Sequence, residues 1–163
     1  MENFKNIIIA KFGTAAIVQE NTADIQPSLV VKTALITAIC QELFENPASY
    51  IDYLSCITGI DNGVEKGTIE VIYHLYSIPF NKHLILKVFE PRGDAAALPV
   101  VPSVTNVWQS ANWHEREAYD LLGIHFEGHP DLRRILMPND WEGYPLRKDY
   151  QEQATYHGIK VAY

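Results

Sequence analysis

At 163 residues with 47% hydrophobic content, the chain has room for one well-buried core and too little length for two full domains. A formal net charge of -7 sets the average surface against polyanions, which excludes general binding of nucleic acid or of an anionic membrane. The longest apolar runs are short and broken by charge, and the N-terminal MENFKNIIIAKFG lacks the basic region, long apolar core and cleavage site of a signal peptide. The expectation is a soluble, cytosolic chain that meets a membrane only through a partner.

Residues 4–12 are apolar at Phe4, Ile7, Ile8 and Phe12 and read as a short amphipathic helix ended by Gly13. Residues 15–19 and 28–31 read as brief strands. Thr33 is placed to cap a stronger helix running to about Glu45, in which Leu35, Ile36, Ile39, Cys40, Leu43 and Phe44 recur at helical spacing until Asn46 and Pro47 stop it. Residues 50–60 are rich in aromatic and β-branched side chains and are read in part as strand. In residues 68–77 Ile69, Val71, Tyr73 and Leu75 alternate with Glu70, Ile72, His74 and Tyr76, and residues 83–89 alternate in the same way after a turn containing Pro79. The two runs predict an antiparallel hairpin. Residues 91–102, rich in Gly, Ala and Pro, are expected to be the least ordered loop, and Ser103 is placed to cap a short turn through Val107 and Trp108. Strands grouped first and then flanked by helices predict an α+β fold: a mainly antiparallel sheet of about four strands with helices on one face, followed by an extended C-terminal arm. The boundaries expected are 1–123 for the compact domain and 124–163 for the arm.

The densest stretch runs from Trp113 to Tyr150. Asn112 with Glu115 three residues later has the spacing of a capping box, and Gly123 after Leu121 and Leu122 marks a helix end. Beyond it Gly128, Pro130, Pro138, Gly143 and Pro145 stand too close together for a long helix or a central strand. A segment this irregular is uncommon in a compact domain unless it is functional, disordered or held by something else. Ile124, Phe126, Leu132, Ile135, Leu136, Met137, Trp141 and Leu146 supply apolar anchors between charges, so the reading is an arm that docks on a surface, part of it belonging to another protein.

These residues carry a resemblance. E-R-E-x-Y-D-L-x-G-I-x-F-x-G-H-P-x-L-R-R-I-L, followed by P-x-D-W-x-G-x-P-L-R-K-D-Y, closely resembles the signature of the C subunit, the thirty-kilodalton subunit, of the proton-pumping NADH:quinone oxidoreductase, respiratory complex I. Weaker similarity extends upstream through YIDYLSCITGID, EVIYHLYSI, LKV and VPSVTNVW. The resemblance implies a structural and assembly subunit of the peripheral arm, on the cytoplasmic side of a bacterial inner membrane. Its expected partners are the hydrogenase-like D subunit, the B subunit and other peripheral-arm subunits. Iron-sulfur clusters, FMN and quinone are expected in those partners and no cofactor in this chain. Because the sequence ends at Tyr163, the D subunit is expected to be a separate chain. The family also includes counterparts in ferredoxin:quinone complexes and membrane-bound nickel-iron hydrogenases, which leaves the electron donor open.

The residues expected to fix the arm or meet a partner are Glu115, Arg116, Glu117, Tyr119, Asp120, His129, Arg133, Arg134, Trp141, Arg147, Lys148 and Asp149. Arg116 and Asp120 have the spacing of a helical ion pair. One reading puts Glu115, Arg116, Glu117 and Asp120 in i, i+3 and i, i+4 pairs on a solvated face; the functional alternative has Glu117, one turn after Trp113, buried and pinned by an arm arginine: Arg133, Arg134 or Arg147. No catalytic residue is expected. Cys40 and Cys56 lack C-x-x-C spacing and read as buried thiols. There is no dinucleotide fingerprint, P-loop or nucleophile elbow. The alternative of another class is a stand-alone metal-dependent hydrolase using His125, Glu127 and His129 with His114 nearby; the spacing departs from a helical H-E-x-x-H, and the competing reading has His129 hydrogen-bonded to backbone in a tight turn.

Overall fold

Helix α1 (Glu2–Phe12) buries Phe4 and Ile8, two of the apolar residues its spacing brings to one side. The computed structural model describes residues 1–23, 25–94 and 96–161. A 3-10 turn at Thr14–Ala16 leads into β1 (Ile17–Asn21), which pairs antiparallel with β2 (Ser28–Val31), a strand buried at all four positions. Helix α2 (Ile36–Glu45) buries Ile36, Ile39, Cys40 and Leu43. Thr33 does not cap it: the residue opens a separate 3-10 turn, Thr33–Leu35, and its hydroxyl faces the Phe89 carbonyl instead.

Three long strands follow: β3 (Tyr53–Asp61), β4 (Thr68–Ser77) and β5 (Lys82–Pro91). The expected hairpin is β4 with β5, in register from Thr68 opposite Pro91 to Ser77 opposite Lys82. The sheet has five strands in the order β1-β2-β5-β4-β3. It is mainly antiparallel, as the alternation suggested, with one more strand than expected and one parallel pair, β2 with β5. That pair was not legible because β2 is only four residues long and a local pattern does not say which of several distant strands will receive it.

Ile69, Val71, Tyr73 and Leu75 face the core, together with Leu84, Leu86 and Val88 from β5 and the buried residues of α1 and α2. The opposite face carries Ile72, His74 and Tyr76, and a Lys87–Glu70 ion pair at 3.1 Å. Cys40 lies in the core, but Cys56 is only half-buried, which corrects the expectation for that thiol: β3 alternates, and Cys56 falls on the outer face.

The loop of residues 91–102 contains β6 (Val100–Pro102), and Ala95 within it lies outside the described residues. Helix α3 (Ala111–Leu122) starts before the expected point. Asn112 is inside it, so the capping box does not form; Glu115 turns away to another segment. Gly123 ends α3 in the left-handed conformation, φ 68°, with its N–H bonded to Tyr119 at 2.8 Å. Directly after it, β7 (His125–Glu127) pairs parallel with β6. A last two-strand ladder joins β8 (Thr155–Tyr156) to β9 (Ile159–Lys160). Among the described residues no helix is long and apolar enough to cross a membrane.

Candidate functional site

Helix α3 ends against β3, and the irregular chain that follows is laid back over its last turn. Asp120, fully buried in that turn, is the centre of the contact. Its Oδ2 accepts three successive backbone N–H groups, from Ile135 at 2.9 Å, Leu136 at 2.7 Å and Met137 at 3.0 Å. Its Oδ1 accepts from Arg134 Nη1 at 2.8 Å, and the same nitrogen donates to the Asp120 carbonyl at 2.9 Å. Burial works against ionisation here, but the three amides and the guanidinium outweigh it and hold the carboxyl below its ordinary value. Arg134 then reaches onward: Nη2 donates to the Trp141 carbonyl at 3.2 Å and to the Gly143 carbonyl at 2.9 Å. Its guanidinium also lies over the Tyr144 ring, 5.2 Å from the centroid. One carboxylate and one arginine thereby shape residues 134–143.

A second fastening ties the end of β3 to the arm. Arg92 forks onto Asp61, Nε to Oδ1 at 2.7 Å and Nη2 to Oδ2 at 2.9 Å, and its other side meets Asp149, with Nη1 3.1 Å from Oδ2. Asp61 also accepts from Gly63 N–H at 2.9 Å and from Lys148 N–H at 2.8 Å. The Arg92 guanidinium outweighs burial, and with the two amides keeps the Asp61 carboxyl well below the usual carboxylate range. Arg147 Nε donates to the Leu122 carbonyl at 2.7 Å and Nη1 to the Gly93 carbonyl at 3.2 Å, while Leu146 N–H bonds to Leu121 at 2.9 Å. The carbonyls left open at the C-terminus of α3 are thus satisfied by the arm itself.

Glu115 and His129 act at the other end of the helix. Glu115 is fully buried; its Oε2 accepts from Ser103 Oγ at 2.6 Å and Oε1 from Val104 N–H at 2.8 Å. Burial pushes this carboxyl up to about 7, against the pull of those two donors. His129 Nδ1 accepts from Asp131 N–H at 2.9 Å and Nε2 lies 3.2 Å from the Asn112 carbonyl, so both ring nitrogens face backbone.

The structure brings together Glu115, Asp120, His129, Arg134 and Arg147 with backbone of α3 or of the chain around it, sets Asp149 against the Arg92 guanidinium, and shifts the roles of others. Glu117 is exposed and makes no salt bridge among the described residues; the buried carboxylate held by an arm arginine is Asp120. The Arg116–Asp120 pair does not form: Arg116 is buried under Trp113, 4.8 Å from its ring, and points to the Arg133 carbonyl and to Asp131 at 3.8 Å. Arg133 stays exposed beside Asp131. Tyr119 packs edge-on to Tyr144, Trp141 Nε1 donates to Tyr150 at 2.9 Å, and Lys148 contributes its backbone N–H. Asp61 and Arg92 escaped the sequence reading. Their partners lie 31 and 87 residues away from Asp61, which no local pattern carries. His125 and Glu127 are exposed, and among the described residues no three His, Cys, Asp or Glu side chains gather as a metal site.

Fold and contacts together define a class: an α+β domain whose last quarter is an irregular arm clamped to the final helix by Asp120 and to the end of β3 by Asp61. The sequence family described as "Respiratory-chain NADH dehydrogenase, 30 Kd subunit" matches residues 29–156. The chain is 45% identical over 158 residues to the NADH-quinone oxidoreductase C subunit of Chloroherpeton thalassium, covering 96% of this chain and 63% of that one. It is 40% identical over 158 residues to the C subunit of Chlorobium phaeobacteroides, covering 97% and 93%. The NADH-quinone oxidoreductase C/D subunit of Azotobacter vinelandii is 39% identical over 153 residues, 90% of this chain and 25% of that one. Among solved structures, a chain of the membrane-bound sulfane sulfur reductase, an archaeal respiratory membrane complex, has the same fold with a TM-score of 0.72 at 24% identity, covering 94% of this chain and 86% of that chain. The chain belongs to the 30-kilodalton subunit family of respiratory-chain NADH dehydrogenase, the C-subunit family of complex I.

Proposed function

We propose that the chain is a non-catalytic structural and assembly subunit in the peripheral arm of a proton-translocating NADH:quinone oxidoreductase, docking through its C-terminal arm on a hydrogenase-like D subunit near the quinone site. The observation that carries this reading is the double clamp on Asp120 and Asp61. It engages Arg134, Asp149 and the backbone amides of residues 135–137 and 148 internally, and leaves Leu136 and Leu146, with Trp113 on α3, displayed to solvent. A fixed backbone with exposed apolar and aromatic anchors suits an interface, because little freedom remains to be lost on binding. The C/D relative supports the D subunit as the neighbour, since there the matching region is one quarter of a longer chain. Iron-sulfur clusters, FMN and quinone then belong to partner subunits, and the chain sits at the cytoplasmic side of the membrane without crossing it.

Gentle detergent extraction of native membranes containing a tagged copy, followed by sizing and identification of what travels with it, tests the reading. Co-elution with hydrogenase-like and iron-sulfur subunits and with quinone reductase activity is the expected result. Elution as a lone protein overturns it.

A further inference from the structure

We propose that the free edge of β3 is a second docking element, which receives an extended strand from the neighbour that the arm contacts; this rests on the docking reading above. The sheet has two edges, and they differ. β1 is short, bulged between Ile17 and Gln19, and guarded by the Lys5–Glu20 ion pair. β3 is nine residues long, Tyr53–Asp61, with neither lysine nor proline and with Tyr53 and Ile60 exposed along it. β3 has a register shift of its own between Leu54 and Cys56, but the regular stretch from Cys56 to Asp61 carries no such guard, and an edge of that kind is a template for another strand.

The register says which groups are free. Asn62 N–H bonds to the Thr68 carbonyl directly opposite, and β3 pairs with β4 without a break from there back to Cys56 opposite His74. The alternation of an antiparallel ladder then turns the N–H and C=O of Thr58 and Ile60 toward β4, and those of Ile57 and Gly59 outward. Among the described residues nothing pairs with those outward groups. Beside them a groove of about 140 Å³ runs between the β3 edge and α3, lined by Ile57, Gly59, Ala118 and Leu121 and closed by Leu146 of the arm. Its rim carries Glu117, exposed and without a salt bridge among the described residues.

This arrangement calls for an extended segment whose backbone bonds to Ile57 and Gly59, whose alternate apolar side chains enter the groove, and which brings a basic side chain to Glu117. A second copy of this chain is the poorer occupant, since each copy carries a net charge of -7. Leu146 belongs to both the groove and the arm, so one neighbour can cover the two surfaces together.

The test is amide exchange resolved by residue in the extracted assembly, with a photo-crosslinking residue in place of the exposed Thr58. Expected are exchange rates at Ile57 and Gly59 slowed to within about tenfold of those at the ladder-bonded Thr58 and Ile60. The expected crosslink joins position 58 to one extended peptide of a neighbouring subunit with alternating apolar residues and a Lys or Arg. If the chain co-elutes with its neighbours but Ile57 and Gly59 exchange about a hundredfold faster than Thr58 and Ile60, the strand pairing is wrong while docking through the arm stands. A crosslink to a second copy of this chain also overturns the proposal, and failure to co-elute removes it together with the docking reading.

Discussion

Asp120 holds four donors with two oxygens and is itself fully buried, so its removal leaves the Arg134 guanidinium without its counter-charge and three amides without their acceptor. Breaking a buried charge pair of this kind costs about 3–5 kcal/mol, and Asp120→Ala is expected to lower unfolding stability by that order in denaturant titration and to expose residues 134–143 to protease. The pH signs of the buried carboxyls are opposite. Asp120 and Asp61 have depressed folded values, so what they contribute is present above the ordinary carboxylate range and disappears as pH falls through their folded values. Glu115 is raised to about 7. Its folded state holds the proton more tightly than the unfolded chain does, so its contribution to stability is complete at low pH and declines between the ordinary carboxyl range and about pH 7, by roughly 1.4 kcal/mol per pH unit. Stability measured from pH 5 to pH 8 should therefore show a fall that Glu115→Gln abolishes and Asp120→Asn leaves in place.

Helix α3 is the element through which these contacts are connected. One end anchors the turn at Ser103 and Val104 through Glu115, and the other gives Asp120 and the carbonyls of Leu121 and Leu122 to the arm. Between these poles its stop signal is also a packing requirement. Gly123 has φ 68°, and a Cβ there would come within 2.5 Å of the Tyr144 ring. Gly123→Ala is expected to cost roughly 1–2 kcal/mol for the left-handed backbone and a further 1–3 kcal/mol for crowding the arm. Gly128, with φ 82° and nothing within 4 Å, is the control: Gly128→Ala should show only the backbone part in the same thermal melts. The helix, its end and the hairpin of β4 and β5 were legible because their signals lie within a few residues of one another. The capping box fails as an expectation for the converse reason: Asn112 and Glu115 have the right local spacing, but Glu115 finds its donors in Ser103 and Val104, 12 and 11 residues away.

For the molecule as a whole, the proposed docking requires the arm to be held before the partner arrives. Arg134 is the link between Asp120 and the carbonyls of Trp141 and Gly143, so Arg134→Ala should loosen residues 134–143 and lower recovery of hydrogenase-like and iron-sulfur subunits in a pull-down of the tagged chain. Normal assembly and turnover in that variant would count against the docking reading. Arg133→Ala is the matched comparison, since Arg133 is exposed and pairs only with Asp131 among the described residues; it should not loosen the clamp, as read by protease sensitivity.

By itself the sequence determined the α+β class, the alternating core face of β4 and β5, the stop at Gly123, and the family, which is written in the contiguous run from Glu115 to Tyr150. Each of these is local: a period of two or 3.6, a glycine where a helix must end, a string of neighbouring residues. Only the tertiary structure decided that Asp120 and not Glu117 is the pinned carboxylate, that Arg92 and Asp61 complete the second clamp, that β2 lies parallel to β5, and that β3 is left at an edge. Those outcomes turn on which distant groups meet once the core has closed. A buried carboxylate takes whichever donors the packing delivers to it, and spacing along the chain does not name them.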